Sequence, residues 1–249
     1  MKCLNCGTEV TGNFCPNCGQ KASTKRFSLK RLLDREFLNG AFMLNKGLLF
    51  TLKTLFTRPG HGVREFVEGK RVRYFNAFSL LLLILALMFF LDGFSDLSLS
   101  DVLGDGDQKE IYTSFEKFME EYPRLIFIIN IPIMAFSTFI FFKKSKVNFA
   151  EHIILNTYNS SASLVLSLPF SIVFIFYDNL EKIRVYYQAS PILSVAYSIW
   201  LYYQFFSTST YKKSSLIWRS LFAILLFFLL QGISSAILIG VTRGFPQPS

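Results

Sequence analysis

The residues with the clearest chemistry are the only four cysteines of the 249-residue chain, Cys3, Cys6, Cys15 and Cys18. They form two C-x-x-C-G knuckles, in which the glycine lets the backbone turn and point its amides at the sulfurs. Four thiolates make the closed tetrahedral shell of a structural zinc site, which leaves no open position for catalysis. We therefore expect residues 1–21 to be a zinc ribbon that folds when it binds its metal.

Two other uses of these cysteines are open: two disulfides in an exported domain, or a redox-active C-x-x-C pair. No secretory signal precedes the cysteines, strongly basic residues follow them, and no βαβ pattern surrounds them. Reduced thiols in the cytoplasm, holding zinc, are therefore favoured.

Basic residues form a second group between residues 58 and 76: Arg58, Arg64, Lys70, Arg71 and Arg73. Arginine forks suit phosphate oxygens, so these side chains would form a phosphate or lipid-headgroup site if they converge. The alternative is a positive-inside anchor directly before a membrane span.

The third group contains both histidines of the chain, His61 and His152, together with Glu151. A histidine beside a carboxylate can perform acid–base chemistry or hold a metal. A functional interpretation has these candidate catalytic residues meet Arg64 and Glu68 in a pocket on the cytoplasmic side. The favoured interpretation is helix packing, because small and polar residues let membrane helices approach closely.

The elements that carry these residues follow from composition: 51% of the residues are hydrophobic and only 17% are charged. Soluble domains carry about 25% charged residues, so an ordinary soluble enzyme and a disordered chain are both excluded. The sequence predicts an all-α integral membrane helix bundle of about five transmembrane helices. The spans are expected near residues 77–94, 122–142, 153–177, 190–206 and 218–241, with a tail at 242–249.

Two further segments complete the predicted organisation. Residues 22–57 combine basic charge with a helical apolar stripe, which predicts amphipathic interfacial helices interrupted at Gly40 and Gly47. Residues 58–76 form a basic juxtamembrane loop with a short helix at 61–68 that ends at Gly69. The acidic segment 92–121 is expected to be a solvated loop with a short helix at 109–121, in preference to a calcium site at Asp101, Asp105 and Asp107.

Lysine and arginine counts predict the orientation. The segments 1–76, 143–151 and 207–219 are basic, and they alternate with acidic or weakly charged segments. The positive-inside rule then places the N-terminus in the cytoplasm and the C-terminus outside, as in a multi-pass protein of the cytoplasmic membrane.

Taken together, these motifs resemble the bacterial domain-of-unknown-function 3667 family. The resemblance extends over residues 1 to about 160, and Ala77 stands where the family often has proline. It implies a membrane bundle with a cytoplasmic zinc ribbon and no assigned reaction. The residues that carry it are the four cysteines with Phe14 and Gln20, Arg58-Pro59-Gly60, Arg64-Glu65-Phe66, Gly69-Lys70-Arg71, Tyr74-Phe75, and Asn148-Phe149-Ala150-Glu151-His152 with Tyr158.

The favoured function is an adaptor or scaffold at the inner membrane surface, without enzymatic activity. Its partners would be anionic lipids and a cytosolic protein bound through the ribbon. The alternative is a lipid-handling enzyme or transporter that binds a phosphorylated headgroup at the basic and His-Glu pocket. Nucleic-acid binding through the ribbon and the basic residues after it is the least favoured interpretation.

Overall fold

The computed structural model describes residues 1–32, 47–94, 123–176 and 180–243. Within these ranges the chain is helical apart from the cysteine segment, and it contains no β-strand. The helices are α1 (Leu29–Leu32), α2 (Leu48–Thr57), α3 (Pro59–Glu68), α4 (Ala77–Asp92), α5 (Pro123–Phe141), α6 (Phe149–Ile175), α7 (Leu180–Phe206) and α8 (Lys213–Arg243). The all-helical fold class is thereby confirmed for this part of the chain.

The ends of the first helices follow from glycine and proline. Helix α2 begins directly after Gly47, where the sequence predicts a break. Helix α3 begins two residues earlier than predicted, because Pro59 occupies its first position, where its fixed φ suits a helix start. It ends at Gly69, as predicted. The predicted break at Gly40, the helix at 109–121, the calcium alternative at Asp101, Asp105 and Asp107, and residues 244–249 lie outside the described residues.

The longer helices extend beyond their apolar blocks. Helix α6 begins at Phe149 rather than near 153, and α7 begins at Leu180 rather than near 190. Helix α8 likewise begins at Lys213, five residues before the predicted span. Hydropathy marks only the apolar part of a helix, whereas backbone hydrogen bonds continue into its polar ends.

The core lies where α3, α4, α6 and α7 meet. Helix α4 packs along α6, α3 packs against α7, and α5 fills the space between α6 and α8. The large side chains that are fully buried in this core include Leu55, Phe75, Leu80, Ile154, Tyr158, Leu201, Phe205 and Phe206. The core thus joins the short N-terminal helices to the long helices in one packed unit.

One described helix segment, Lys213–Ile237, is long and apolar enough to cross a membrane, judged by length and composition. Shorter apolar helices occupy Leu48–Thr57, Ala77–Leu91 and Ile129–Phe141. The finding is consistent with a membrane protein, and the five-span arrangement stays a prediction.

Candidate metal centre and its docking site

The cysteine segment folds as two equivalent turns. The Gly7 amide donates to the Cys3 carbonyl at 2.9 Å, and the Gly19 amide donates to the Cys15 carbonyl at 2.9 Å. Both glycines have positive φ, 78° and 73°, a backbone conformation that residues with a Cβ rarely adopt. Isolated antiparallel bridges, Lys2 with Glu9 and Phe14 with Lys21, close the two turns.

These turns bring the four sulfurs together. All four cysteines are free thiols, and their Sγ atoms lie within 4.8 Å of one another. The shortest separations are 3.6 Å between Cys3 and Cys18 and 3.5 Å between Cys6 and Cys15. A tetrahedral zinc with Zn–S bonds of about 2.3 Å would hold its sulfurs about 3.8 Å apart. The donor set and its spacing therefore fit one closed metal site. Its ligands would be the four cysteines that the sequence predicts.

The surroundings of Cys6 and Cys18 shift the pKa of these two thiols and so affect how easily each binds a metal ion. Hydrogen bonding with Thr8, at 3.3 Å from Sγ to Oγ1, lowers the pKa of Cys6 to about 6. Burial raises the pKa of Cys18 to about 11. Because a metal binds thiolates, its binding to Cys18 must displace a proton, which couples affinity for the metal to pH.

The ribbon is docked on the segment between α3 and α4. Gln20, buried at the end of the second knuckle, accepts a hydrogen bond from the Arg71 amide at 3.2 Å. The Leu4 side chain lies against Gly69, where a Cβ would come within 2.7 Å of the leucine Cδ1. The Gly69-Lys70-Arg71 motif therefore forms the surface that receives the ribbon.

Residues 20–27, which we call the strap, continue this docking to the start of α6. The Arg26 guanidinium forms a two-pronged pair with Glu151, with Nε–Oε1 and Nη2–Oε2 distances of 2.5 and 2.7 Å. The same guanidinium donates to the Lys146 carbonyl at 2.7 Å. Asn148 donates its side-chain amide to the Phe27 carbonyl at 2.9 Å. The strap is thus fixed at its end as well as at the ribbon.

Asn148 and Glu151 also cap the helix on which the strap ends. The Glu151 amide donates to Asn148 Oδ1 at 3.1 Å, and the Asn148 amide donates to Glu151 Oε2 at 2.9 Å. This reciprocal pair is a capping box with asparagine in the first position. The N-x-x-E spacing is the sequence signal for the true start of α6.

Arg71 serves the strap rather than an open phosphate site. Its guanidinium carbon lies 3.7 Å from the centroid of the Phe27 ring and 5.8 Å from that of Phe66. Its Nη2 donates to the Lys25 carbonyl at 2.8 Å. Burial in this aromatic setting lowers the pKa of Arg71 to about 10. The side chain therefore holds the strap against α3.

Arg58 and Lys70 face a carboxylate of their own segment. Arg58 pairs with Glu65 at 3.0 and 3.3 Å, and Tyr74 donates to the same carboxylate at 2.6 Å. The Lys70 ammonium is 4.0 Å from Glu65. Burial raises the pKa of Glu65, but the hydrogen bonds from Arg58 and Tyr74 outweigh it, so the pKa lies below its ordinary value.

The five basic candidates therefore do not converge on one point. Arg73 is exposed, whereas Arg64 is half-buried and lines a cavity with Glu68, Glu151 and Arg26. Of the predicted His-Glu pocket, the structure brings Arg64, Glu68 and Glu151 together. It does not bring either histidine to this cavity.

The two histidines have different surroundings. His61 is exposed on α3, while His152 is fully buried on α6, where its side chain points in a different direction from that of Glu151. Its Nδ1 lies 2.9 Å from Thr138 Oγ1, and its ring stacks on Phe206 with a centroid distance of 5.6 Å. Helical periodicity puts Glu151 and Tyr158 on one side of α6 and His152 and Asn156 on another, and the contacts of these side chains match that division.

His152 begins a chain of hydrogen bonds inside the bundle. Asn156 donates to Thr138 at 3.0 Å and accepts from Tyr202 at 2.6 Å. Asn159 donates to Tyr202 at 3.3 Å and to Ser198 at 3.0 Å. All these groups are buried, so the polar residues of α6 join it to α5 and α7. The composition of α6 indicates such packing. Nothing in the sequence, however, marks Thr138, Ser198 and Tyr202 as the partners of its polar residues.

Comparison with known proteins finds a family match over the segment that carries the docking surface. No curated protein and no solved structure is detectably similar to the chain. Residues 45–89 match the model of a family described as "Protein of unknown function (DUF3667)". This segment holds α2, α3, the surface that receives the ribbon and most of α4. The match confirms, over residues 45–89, the resemblance drawn from the sequence, and this segment of the chain is similar to the DUF3667 family.

Proposed function

We propose that the chain is a multi-pass protein of the bacterial cytoplasmic membrane that presents a rigidly held zinc ribbon to a cytosolic partner. It would act as a scaffold rather than as an enzyme. The observation that carries the proposal is the clamping of the ribbon onto the helical bundle by its strap.

The distribution of side chains supports a lipid environment. Helix α8 exposes large apolar side chains along its length: Trp218, Phe222, Leu225, Leu229, Ile233 and Ile237. The polar residues His152, Asn156, Asn159 and Ser198 are instead buried between helices. Water would disfavour this arrangement, whereas hydrocarbon favours apolar exteriors and requires polar groups to pair internally.

Charge supports the orientation. The ribbon end of the bundle carries Lys143, Lys144, Lys146, Lys212 and Lys213 in the connections before α6 and α8. Lysine and arginine near span ends remain in the cytoplasm, where thiols also stay reduced. Both arguments support a ribbon on the cytoplasmic side, where its thiols would stay available to zinc.

The clamp distinguishes this ribbon from a module on a flexible tether. Gln20 and Arg71 join the ribbon to the connection after α3, and Arg26 joins the strap to Glu151. A partner bound to a clamped ribbon would be held at a fixed place relative to the membrane. A fixed position gives a scaffold control over the geometry of what it binds.

The ribbon also has a surface suited to binding. Phe14 is 57% exposed on the second knuckle, beside the metal ligand Cys15. Residues 1–32 carry six basic residues and one acidic residue. An exposed aromatic side chain in a basic surrounding fits a partner with an apolar pocket and an acidic rim.

The lipid-handling alternative has less support from the geometry. His61, Glu151 and His152 do not face a common space, and both Glu151 oxygens already accept hydrogen bonds. Acid–base catalysis needs groups within reach of one substrate atom.

The test is quantitative co-purification from membranes with full-length protein. Phe14→Glu changes the exposed face without touching a cysteine, and Arg73→Gln is the matched control at an exposed site off the ribbon. The scaffold proposal expects the same cytosolic protein to be lost with Phe14→Glu and Cys15→Ser and retained with Arg73→Gln. An unchanged set of partners in all three variants would refute it. Epitope accessibility at both termini in spheroplasts tests the orientation separately.

A further inference from the structure

The cavity at the ribbon end of the bundle has the chemistry of an anion site. Its volume is about 370 Å³, and its walls come from the strap, α3, the turn before α6 and the end of α7. The charged side chains around it are Arg26, Arg64, Lys146, Glu68 and Glu151. This volume lies within the range of small-molecule sites.

After the ion pair within the cavity wall is counted, the wall keeps a net positive charge. The two oxygens of Glu151 accept from Arg26, and one of them also accepts from the Asn148 amide. That carboxylate and Arg26 therefore compensate each other. Arg64 and Lys146 remain against Glu68, which leaves one net positive charge in the wall.

Arg64 is the residue that points to a ligand. Its Nη1 atom is completely buried yet has no hydrogen-bond partner among the described residues. Its guanidinium carbon lies 5.4 Å from the centroid of the Phe205 ring, which forms part of the same wall. Burial also lowers the pKa of Arg64, since only Glu68 opposes the loss of hydration. Arg71 Nε and His152 Nε2 are also buried without a partner, but among these three residues Arg64 is the one that lines the cavity. A guanidinium that lacks an acceptor is costly to bury, and an anion in the cavity would offer the Arg64 guanidinium acceptor oxygens.

We propose that this cavity binds the phosphate group of a phosphate ester, with Arg64 and Lys146 as the charged ligands and the Thr208 hydroxyl as a further donor. An acceptor-only anion matches the net positive charge of the wall and its cationic donors Arg64 and Lys146. A divalent cation does not, because both uncompensated groups beyond Glu68 are cationic. The site differs from the basic set in the sequence, since Arg58 and Arg71 are bound elsewhere and Arg26 and Lys146 replace them.

Two sources could supply this chemistry, a soluble phosphate ester or an anionic lipid headgroup. Glycerol 3-phosphate is the probe for the first, with sodium chloride at equal ionic strength as its reference. Mixed micelles with 20 mol% (about one lipid in five) phosphatidylglycerol probe the second, against phosphatidylcholine at the same fraction. The readout is the unfolding midpoint of zinc-loaded, full-length protein over a range of probe concentration.

The expected result is a saturable rise of the midpoint with one of the two probes. Arg64→Gln should weaken that response about tenfold or more, and Lys146→Gln should weaken it less, because Lys146 is exposed. Arg73→Gln is the matched control and should respond like the unaltered protein. Without probe, Arg64→Gln should unfold no earlier than the unaltered protein, since its unpaired nitrogen is gone.

The outcomes separate clearly. A response to glycerol 3-phosphate assigns a soluble ligand, and a response confined to phosphatidylglycerol assigns a lipid. The proposal is overturned if neither probe raises the midpoint above its reference. It is also overturned if Arg73→Gln loses as much response as Arg64→Gln, because the effect would then be general charge attraction.

Discussion

Arg26 and Glu151 are 125 residues apart in the sequence, yet their side chains form a two-pronged ion pair that joins the ribbon strap to the first turn of α6. The Glu151 side chain is completely buried, whereas that of Arg26 is 61% exposed. The pair therefore closes the docking surface with one partner inside the bundle and one at its edge.

Removing Arg26 should be more damaging than its exposure suggests. Arg26→Ala leaves the Glu151 carboxylate buried without its counter-charge, and we expect a loss of about 2 kcal/mol in unfolding free energy. Lys25→Ala, at the adjacent exposed position, should have little effect. SDS titration of both variants measures this, and equal stability would contradict the assigned role of the pair.

Metal removal should release the strap as well as unfold the ribbon. The purified protein should contain one zinc per chain, and a strong chelator should remove it. Trypsin should then cut after Lys25 or Arg26, which the docked strap protects. Mass spectrometry of the fragments checks this, with zinc restored as the control. Cleavage at the same rate with and without zinc would show that docking does not depend on the metal.

Acid should weaken the contact between α3 and the connection that follows it. The pKa of Glu65 is lower in the folded protein than its ordinary value of 4.5. Its contribution is therefore fully present above about pH 4.5 and is lost as pH falls through the lower, folded value. Because Glu65 and Arg58 are partly exposed, we expect an effect below about 1 kcal/mol. Unfolding midpoints between pH 3 and 7 should show a steeper fall for the unaltered protein than for Glu65→Gln.

Gly60 should tolerate no side chain. A Cβ there would overlap the Phe205 amide nitrogen and the Leu201 carbonyl oxygen, both backbone atoms of α7 that cannot move aside. Gly60→Ala should therefore cost about 3 kcal/mol. A Cβ added to Gly232 on α8 would meet no neighbouring atom. Gly232→Ala should therefore stabilise the protein by about 0.5–1 kcal/mol. Similar midpoints for the two variants would argue against the close packing of α3 on α7.

The buried hydrogen-bond chain should have a measurable share in stability. Tyr202→Phe removes the donor to Asn156, and we expect a cost of about 1 kcal/mol, as for other polar contacts between membrane helices. Tyr203→Phe is the control on the neighbouring, half-buried tyrosine. If both substitutions are equally mild in SDS titration, the chain contributes little to helix association.

The local features of this fold are readable in the sequence. The cysteine spacing predicts the metal ligands, and Gly47 and Gly69 predict helix ends through their backbone preferences. The two faces of α6 follow from helical periodicity. Each of these depends on residues close together in the chain.

The contacts that give the candidate site its shape are not readable in this way. Arg26 and Arg71 look like members of a basic surface, because nothing near them reveals Glu151 or Phe27 as partners. Thr138 and Tyr202 look like ordinary helix residues, since their partners lie on other helices. Only the tertiary packing separates Arg71, which holds the strap, from Arg64, which lines the cavity.

Arg26 belongs both to the strap and to the wall of the cavity beside Arg64. Whatever binds in that cavity therefore acts on the same side chain that the ribbon positions. Thermodynamic reciprocity then applies: if the occupied cavity strengthens zinc binding by some factor, zinc strengthens occupancy by the same factor. The metal and the anion would report on each other without sharing a single ligand.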